Sequence, residues 1–120
     1  MRDESVTLDD IVERAERLVH IASEHSVAEV ASTPELAESV LYNLIIIGEA
    51  TKRLSPATCT RFPDVEWSKM AATRDVLVHH YDLVLWEQVD EIMRRQLPPL
   101  LRRLAEIRDT LRAEFDAAQG

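Results

Sequence analysis

The chain is 120 residues long, 46% hydrophobic, and carries a formal net charge of −8. This suits one globular domain over residues 1–120 and argues against a general nucleic-acid binder, which would be basic. No apolar run nears the ~20 residues needed to span a bilayer, and Met1-Arg2-Asp3-Glu4 lacks the apolar core of a secretory leader, so the expected compartment is the cytoplasm. Two glycines, Gly48 and Gly120, and one cysteine, Cys59, exclude a glycine-rich phosphate loop, an intrachain disulfide and a Cys-rich zinc site.

Thr7-Leu8-Asp9-Asp10 reads as a helix start, a capping hydroxyl followed by acids near the positive end of the dipole. Ile11, Ala15, Leu18, Val19 and Ala22 follow at helical spacing, which predicts a first helix over 8–25. Ser32-Thr33-Pro34-Glu35 opens a second, because Pro34 loses nothing in a first turn. It runs to about Leu54, and its apolar middle, 40–47, predicts a buried central helix. Gly48 marks a place where another helix backbone comes close. Residues 55–63, with two prolines, read as a loop, and Asp64 as the cap of a third helix over 65–80. The last segment, 85–118, has the strongest periodicity. Pro98-Pro99 must kink or restart it. The expected fold is an all-α, up-and-down bundle of four to five helices.

Charge is unevenly placed. Residues 1–40 sum to −7 and residues 92–112 to +4, the latter through Arg94, Arg95, Arg102, Arg103, Arg108 and Arg112. One end of the molecule is therefore a candidate contact for a polyanion, with Arg94, Arg95 and Arg102 as candidate RNA-binding residues. Taken alone, these arginines read as the solvated face of an amphipathic helix.

The third helix carries an anomaly. Its apolar stripe is Trp67, Met70, Ala71, Leu77, Val78 and Tyr81, and Arg74 falls on the same stripe. An arginine among core-facing positions is costly unless it is paired or faces a functional cleft. Asp75 and His79, four apart, are spaced to hydrogen-bond, which would fix the imidazole tautomer. His80 falls on the other side of the helix. His20 and His25 are five apart, which is no same-face ligand spacing. No histidine–carboxylate cluster suggests a metal, and no cofactor is expected. As a bare pattern, Arg-x4-His describes a snorkelling arginine and a histidine at a helix end.

Arg74-Asp75-Val76-Leu77-Val78-His79-His80-Tyr81 resembles the Arg-x4-His-x-Tyr signature of the HepT-like ribonuclease toxins of the HEPN superfamily. Ile47-Gly48-Glu49-Ala50-Thr51-Lys52-Arg53-Leu54-Ser55 resembles that family's second-helix ending. Trp67 and Leu97-Pro98-Pro99-Leu100 also fit, so the likeness spans about 8–115. Two positions depart from the pattern: Asp75 stands where Asn is usual, and Ala72-Thr73 where Gly-Met is usual.

The resemblance implies a metal-independent endoribonuclease. Arg74 would hold phosphate, His79 would act as acid or base, and Asp75 would support His79. One histidine cannot fill both proton-transfer roles in a single step, and Arg74 and His79 lie about 140° apart on an ideal helix. The resemblance implies a homodimer whose shared cleft answers both difficulties. It further implies a small nucleotidyltransferase antitoxin that transfers AMP from ATP to Tyr81. The alternative is a non-catalytic helical partner of a nucleotidyltransferase with a nucleotide-binding cleft, favoured by the acidic balance and Asp75.

Overall fold

The computed structural model describes residues 2–120, and among them every regular element is helical. The elements are α1 (Glu4–Glu24), α2 (Val27–Ser32), α3 (Pro34–Lys52), α4 (Pro56–Arg61), α5 (Trp67–His79), a 3-10 turn (Tyr81–Leu83), α6 (Trp86–Glu91), a π-helical turn (Ile92–Gln96) and α7 (Leu97–Gln119). The expected all-α bundle is what the chain forms. Helix α1 packs against α7 on one side and α3 on the other, and α3 carries α5 on its far side. Leu8, Ile11, Ala15 and Leu18 of α1 are fully buried with Val40, Leu104 and Ile107. Each buried Leu or Ile side chain contributes about 1.5–3 kcal/mol of apolar burial.

Several boundaries differ from the sequence expectation, each for a local reason. Helix α1 starts at Glu4 because Asp3 accepts the Ser5 backbone N–H, so Thr7 is not its cap. Helix α3 stops at Lys52, two residues short of Leu54. A short α2, capped by Ser26, occupies the connection after α1. The proline loop contains α4, which Ser55 caps through the Thr58 N–H. Glu4 anchors that turn by accepting from the Ser55 N–H and from both hydroxyls, Ser55 and Thr58. Burial pushes the Glu4 carboxyl up, but these bonds and the Arg2 charge outweigh it and hold the group below its ordinary value. Asp64 caps nothing: its carboxylate accepts from Arg103 of α7. Helix α5 instead begins at Trp67, whose indole N–H donates to the Phe62 carbonyl at 2.9 Å.

Pro98 and Pro99 restart the last helix. They lack the N–H groups that would bond back one turn, and the chain answers with the π-helical turn, in which the Leu97 N–H reaches the Ile92 carbonyl. Leu97-Pro98-Pro99 then forms the first turn of α7, where proline is tolerated. No helix among the described residues is long and apolar enough to cross a membrane.

The close helix approach expected at Gly48 is the α3–α5 contact. A Cβ at Gly48 would lie 2.1 Å from Arg74 Cβ and 3.1 Å from the Met70 carbonyl oxygen. Only a residue without a side chain allows that approach. Gly48→Ala gains about 1 kcal/mol of helix propensity but forces the helices apart, an overpacking cost of about 1–3 kcal/mol. We expect the variant to be less stable than wild type in urea denaturation. A more stable variant would show that the approach is not enforced.

Candidate active site

Helix α5 was expected to bury one continuous stripe, and it does so only in part. Trp67 and Leu77 are buried and Met70 is half-buried, whereas Val78 and Tyr81 are exposed. The exposed apolar residues Val76, Val78, Tyr81, Leu83 and Leu85 gather at the C-terminal end of α5 and just beyond. The helix ends at His79. The His80 N–H still donates to Val76 O at 2.8 Å, but at φ −135° and ψ 35° its backbone has left the helix. Helical projection therefore does not apply to His80 or to Tyr81.

Arg74 sits on α5 against Gly48 with its side chain only 23% exposed. It is paired, which is why the stripe tolerates it. Its Nε donates to Glu49 Oε1 at 2.7 Å, its Nη2 to the same oxygen, and its Nη1 to Asp75 Oδ1 at 3.0 Å. Three of its five N–H groups are engaged in this way, and the outer edge of the guanidinium keeps donors for a further oxyanion. Glu49 was not singled out from the sequence as a site residue. The available signal was its place directly after Gly48, on the face that meets α5.

Asp75 does not bond to His79. Its Oδ1 accepts from Lys52 Nζ at the end of α3 and from Arg74. The expected support of the imidazole by Asp75 is therefore corrected, because two cations claim the carboxylate first. Lys52 and then Arg74 hold the Asp75 carboxyl below its ordinary value. Asp75, followed by Glu49, raises the Arg74 guanidinium further above its already high value. The bend of Arg74 toward Asp75 also changes the angular argument. Asp75 and His79 lie one turn apart on one face of α5, so the guanidinium is drawn toward the His79 face despite the ~140° between their Cα positions.

Of the arginines of the C-terminal segment, Arg94, Arg103 and Arg108 are engaged by partners within the chain. Arg94 pairs with Asp90 and donates to the Ala22 and His25 carbonyls, which closes the end of α1. It is a staple between helices, its guanidinium engaged within the chain. Arg95 is 79% exposed and lies 3.5 Å from Glu91. Arg102 is exposed. Arg103 pairs with Asp64, and Arg108 with Asp9 and Asp109. A groove of about 480 Å³ separates α5 from α7, lined by Met70, Thr73, Leu97, Leu100 and Arg103 among others; neither Arg95 nor Arg102 lines it. No group of three or more His, Cys, Asp or Glu among the described residues is placed to hold a metal ion.

Comparison with known proteins places this arrangement. The family described as "Ribonuclease HepT-like" matches residues 9–107. The chain belongs to the HepT-like ribonuclease family. It is 28% identical over 106 residues to "Putative RNase MJ0127" of Methanocaldococcus jannaschii, covering 88% of each chain. It is 30% identical over 105 residues to "Probable ribonuclease HepT" of Thermococcus cleftensis, covering 84% of this chain and 92% of the relative. No solved structure matches it.

The depressed Asp75 carboxyl has a consequence for stability. A carboxyl held low in the folded state stabilises above its unfolded value near ~3.9, and this contribution is lost as pH falls through the folded value. Asp75→Asn should therefore be less stable than wild type at pH 6, and the difference should shrink toward zero as pH falls below ~4. Thermal unfolding across that range checks it. A gap independent of pH would show that the carboxylate charge contributes nothing.

Proposed function

We propose that this HepT-like protein is a metal-independent endoribonuclease and the toxin of a toxin–antitoxin pair. The observation that carries the reading is Arg74, held by Glu49 at the Gly48 crossing and turned toward the His79 face with donors to spare. Its fixed, permanently charged fork suits the extra negative charge of a phosphorane. A ribose 2′-oxygen attacks the adjacent phosphorus, a base takes the 2′-proton, and an acid protonates the departing 5′-oxygen. The products are a 2′,3′-cyclic phosphate and a 5′-hydroxyl. The exposed His79 serves in proton transfer, for which an imidazole is suited.

A second histidine comes from a second copy. The exposed apolar group Val76, Val78, Tyr81, Leu83 and Leu85 supports a homodimer formed through this end of α5. Two copies of His79 across one cleft then divide the acid and base roles. The site of action is the cytoplasm, where RNA is available. The exposed Arg95 and Arg102 serve as further RNA contacts.

Tyr81 is 69% exposed, which suits it as the acceptor of AMP. Its phenolic oxygen attacks the α-phosphorus of ATP on a nucleotidyltransferase antitoxin, the phenolic proton is lost, and pyrophosphate leaves. The adenylate adds phosphate and bulk one residue past His80, which closes the cleft to RNA. One observation favours the non-catalytic alternative: Glu49 and Asp75 already balance the charges of Arg74 and Lys52.

The test is cleavage of total RNA in excess EDTA by protein whose Tyr81 is shown bare by mass spectrometry. Wild type should give discrete fragments with 2′,3′-cyclic phosphate ends, and His79→Ala should lose at least ~10²-fold in rate. Wild type that leaves RNA intact would replace the ribonuclease reading with that of a nucleotidyltransferase-binding module. Tyr81→Phe should cleave RNA but gain no mass from the antitoxin and ATP. A mass gain on that variant would remove Tyr81 as the acceptor.

A further inference from the structure

Asp75 Oδ1 is shared by two cations. Arg74 Nη1 donates to it at 3.0 Å from within α5, and Lys52 Nζ at 2.5 Å from the C-terminal end of α3. The guanidinium and the ammonium are thus no further apart than those two bonds allow. Both side chains reach solvent, Lys52 at 39% and Asp75 at 47% exposure, so the shared oxygen sits at a surface that a ligand can approach. A carboxylate oxygen between a guanidinium and an ammonium occupies the place of a phosphate oxygen. Along α5, Asp75 precedes His79 by one turn, about 5–6 Å between Cβ atoms. Two cations thus converge on one oxygen in a chain of net charge −8.

We propose that Lys52 and Arg74 form a two-cation seat for a single RNA backbone phosphodiester, which Asp75 occupies in the free protein and yields on binding. The inference rests on the ribonuclease reading and adds Lys52 to it as an RNA-binding residue. Glu49 stays on Arg74 throughout and keeps the guanidinium in place, so the incoming phosphate competes with Asp75 alone. Lys52 lies at the end of its helix with a half-exposed side chain, and its replacement leaves the Gly48 crossing intact.

The seat is measured by binding rather than cleavage. The probe is a single-stranded RNA with 2′-O-methyl riboses, which has no 2′-hydroxyl to attack. Its dissociation constant is followed against salt concentration for wild type, Lys52→Ala, Lys52→Arg and Asp75→Asn. Each phosphate contact on a single strand contributes about 0.7 to the slope of log K against log salt. Lys52→Ala should bind more weakly and lose about 0.7 from that slope. Lys52→Arg, which keeps the charge, should retain the slope. Asp75→Asn, which frees both cations, should bind more tightly at low salt. Wild-type affinity and slope in Lys52→Ala would overturn the seat and leave the ribonuclease reading standing. No salt-dependent binding by wild type would overturn both.

Discussion

The close crossing of α3 and α5 at Gly48 is the constraint on which the candidate site depends. A helix interior gives up about 0.5–1 kcal/mol to accommodate glycine, and here the missing side chain lets Arg74 Cβ lie where an alanine Cβ would collide. The next residue of α3 is Glu49, and the one a turn later on that face is Lys52. Both therefore meet α5 at Arg74 and Asp75. One small residue thus sets a four-member charge cluster in which carboxylates and cations alternate. An arginine so placed loses little freedom on meeting a phosphate, because its geometry is already set.

Pairing also accounts for much of the charge distribution of this acidic chain. Several of the C-terminal arginines are paired across the bundle. Asp9 of α1 pairs with Arg108 of α7, and Asp64 and Arg61, before α5, pair with Arg103 and Glu114 of α7. These pairs lie at the surface and contribute modestly to stability, and they engage Arg103 and Arg108 while leaving Arg102 exposed. Arg74 and Lys52, beside the Gly48 crossing, are two cations brought together on one carboxylate, Asp75.

Periodicity made the long helices legible, a first-turn proline marked the start of α3, and Pro98-Pro99 marked an interruption that the structure resolves as the start of α7. Short helices were not legible, because six residues such as 27–32 are too few to show a period, and their caps resemble turn residues. In the site, the odd placement of Arg74 on an apolar stripe was visible, and so was the close approach at Gly48. The link between them was not. Which helix meets Gly48 is a tertiary fact, so nothing in the sequence joined Glu49 and Lys52 to Arg74 and Asp75. The Asp75–His79 pair followed correctly from local spacing and failed because Lys52, 23 residues earlier, reaches the carboxylate. Likewise, Tyr81 fell on the core stripe only while the helix was extended past His79, where the structure ends it.

The interaction that organises the site is the bond from Arg74 Nε–H to Glu49, and nuclear magnetic resonance of nitrogen-labelled protein observes that proton directly. In wild type the Arg74 Nε–H should exchange slowly with water and give a signal resolved from the exposed arginines. In Glu49→Gln, and in Gly48→Ala, where the helices cannot approach, it should exchange faster and move toward them. An Arg74 Nε–H that exchanges in wild type as fast as that of exposed Arg102 would contradict the account, because no clamp would hold the guanidinium in place.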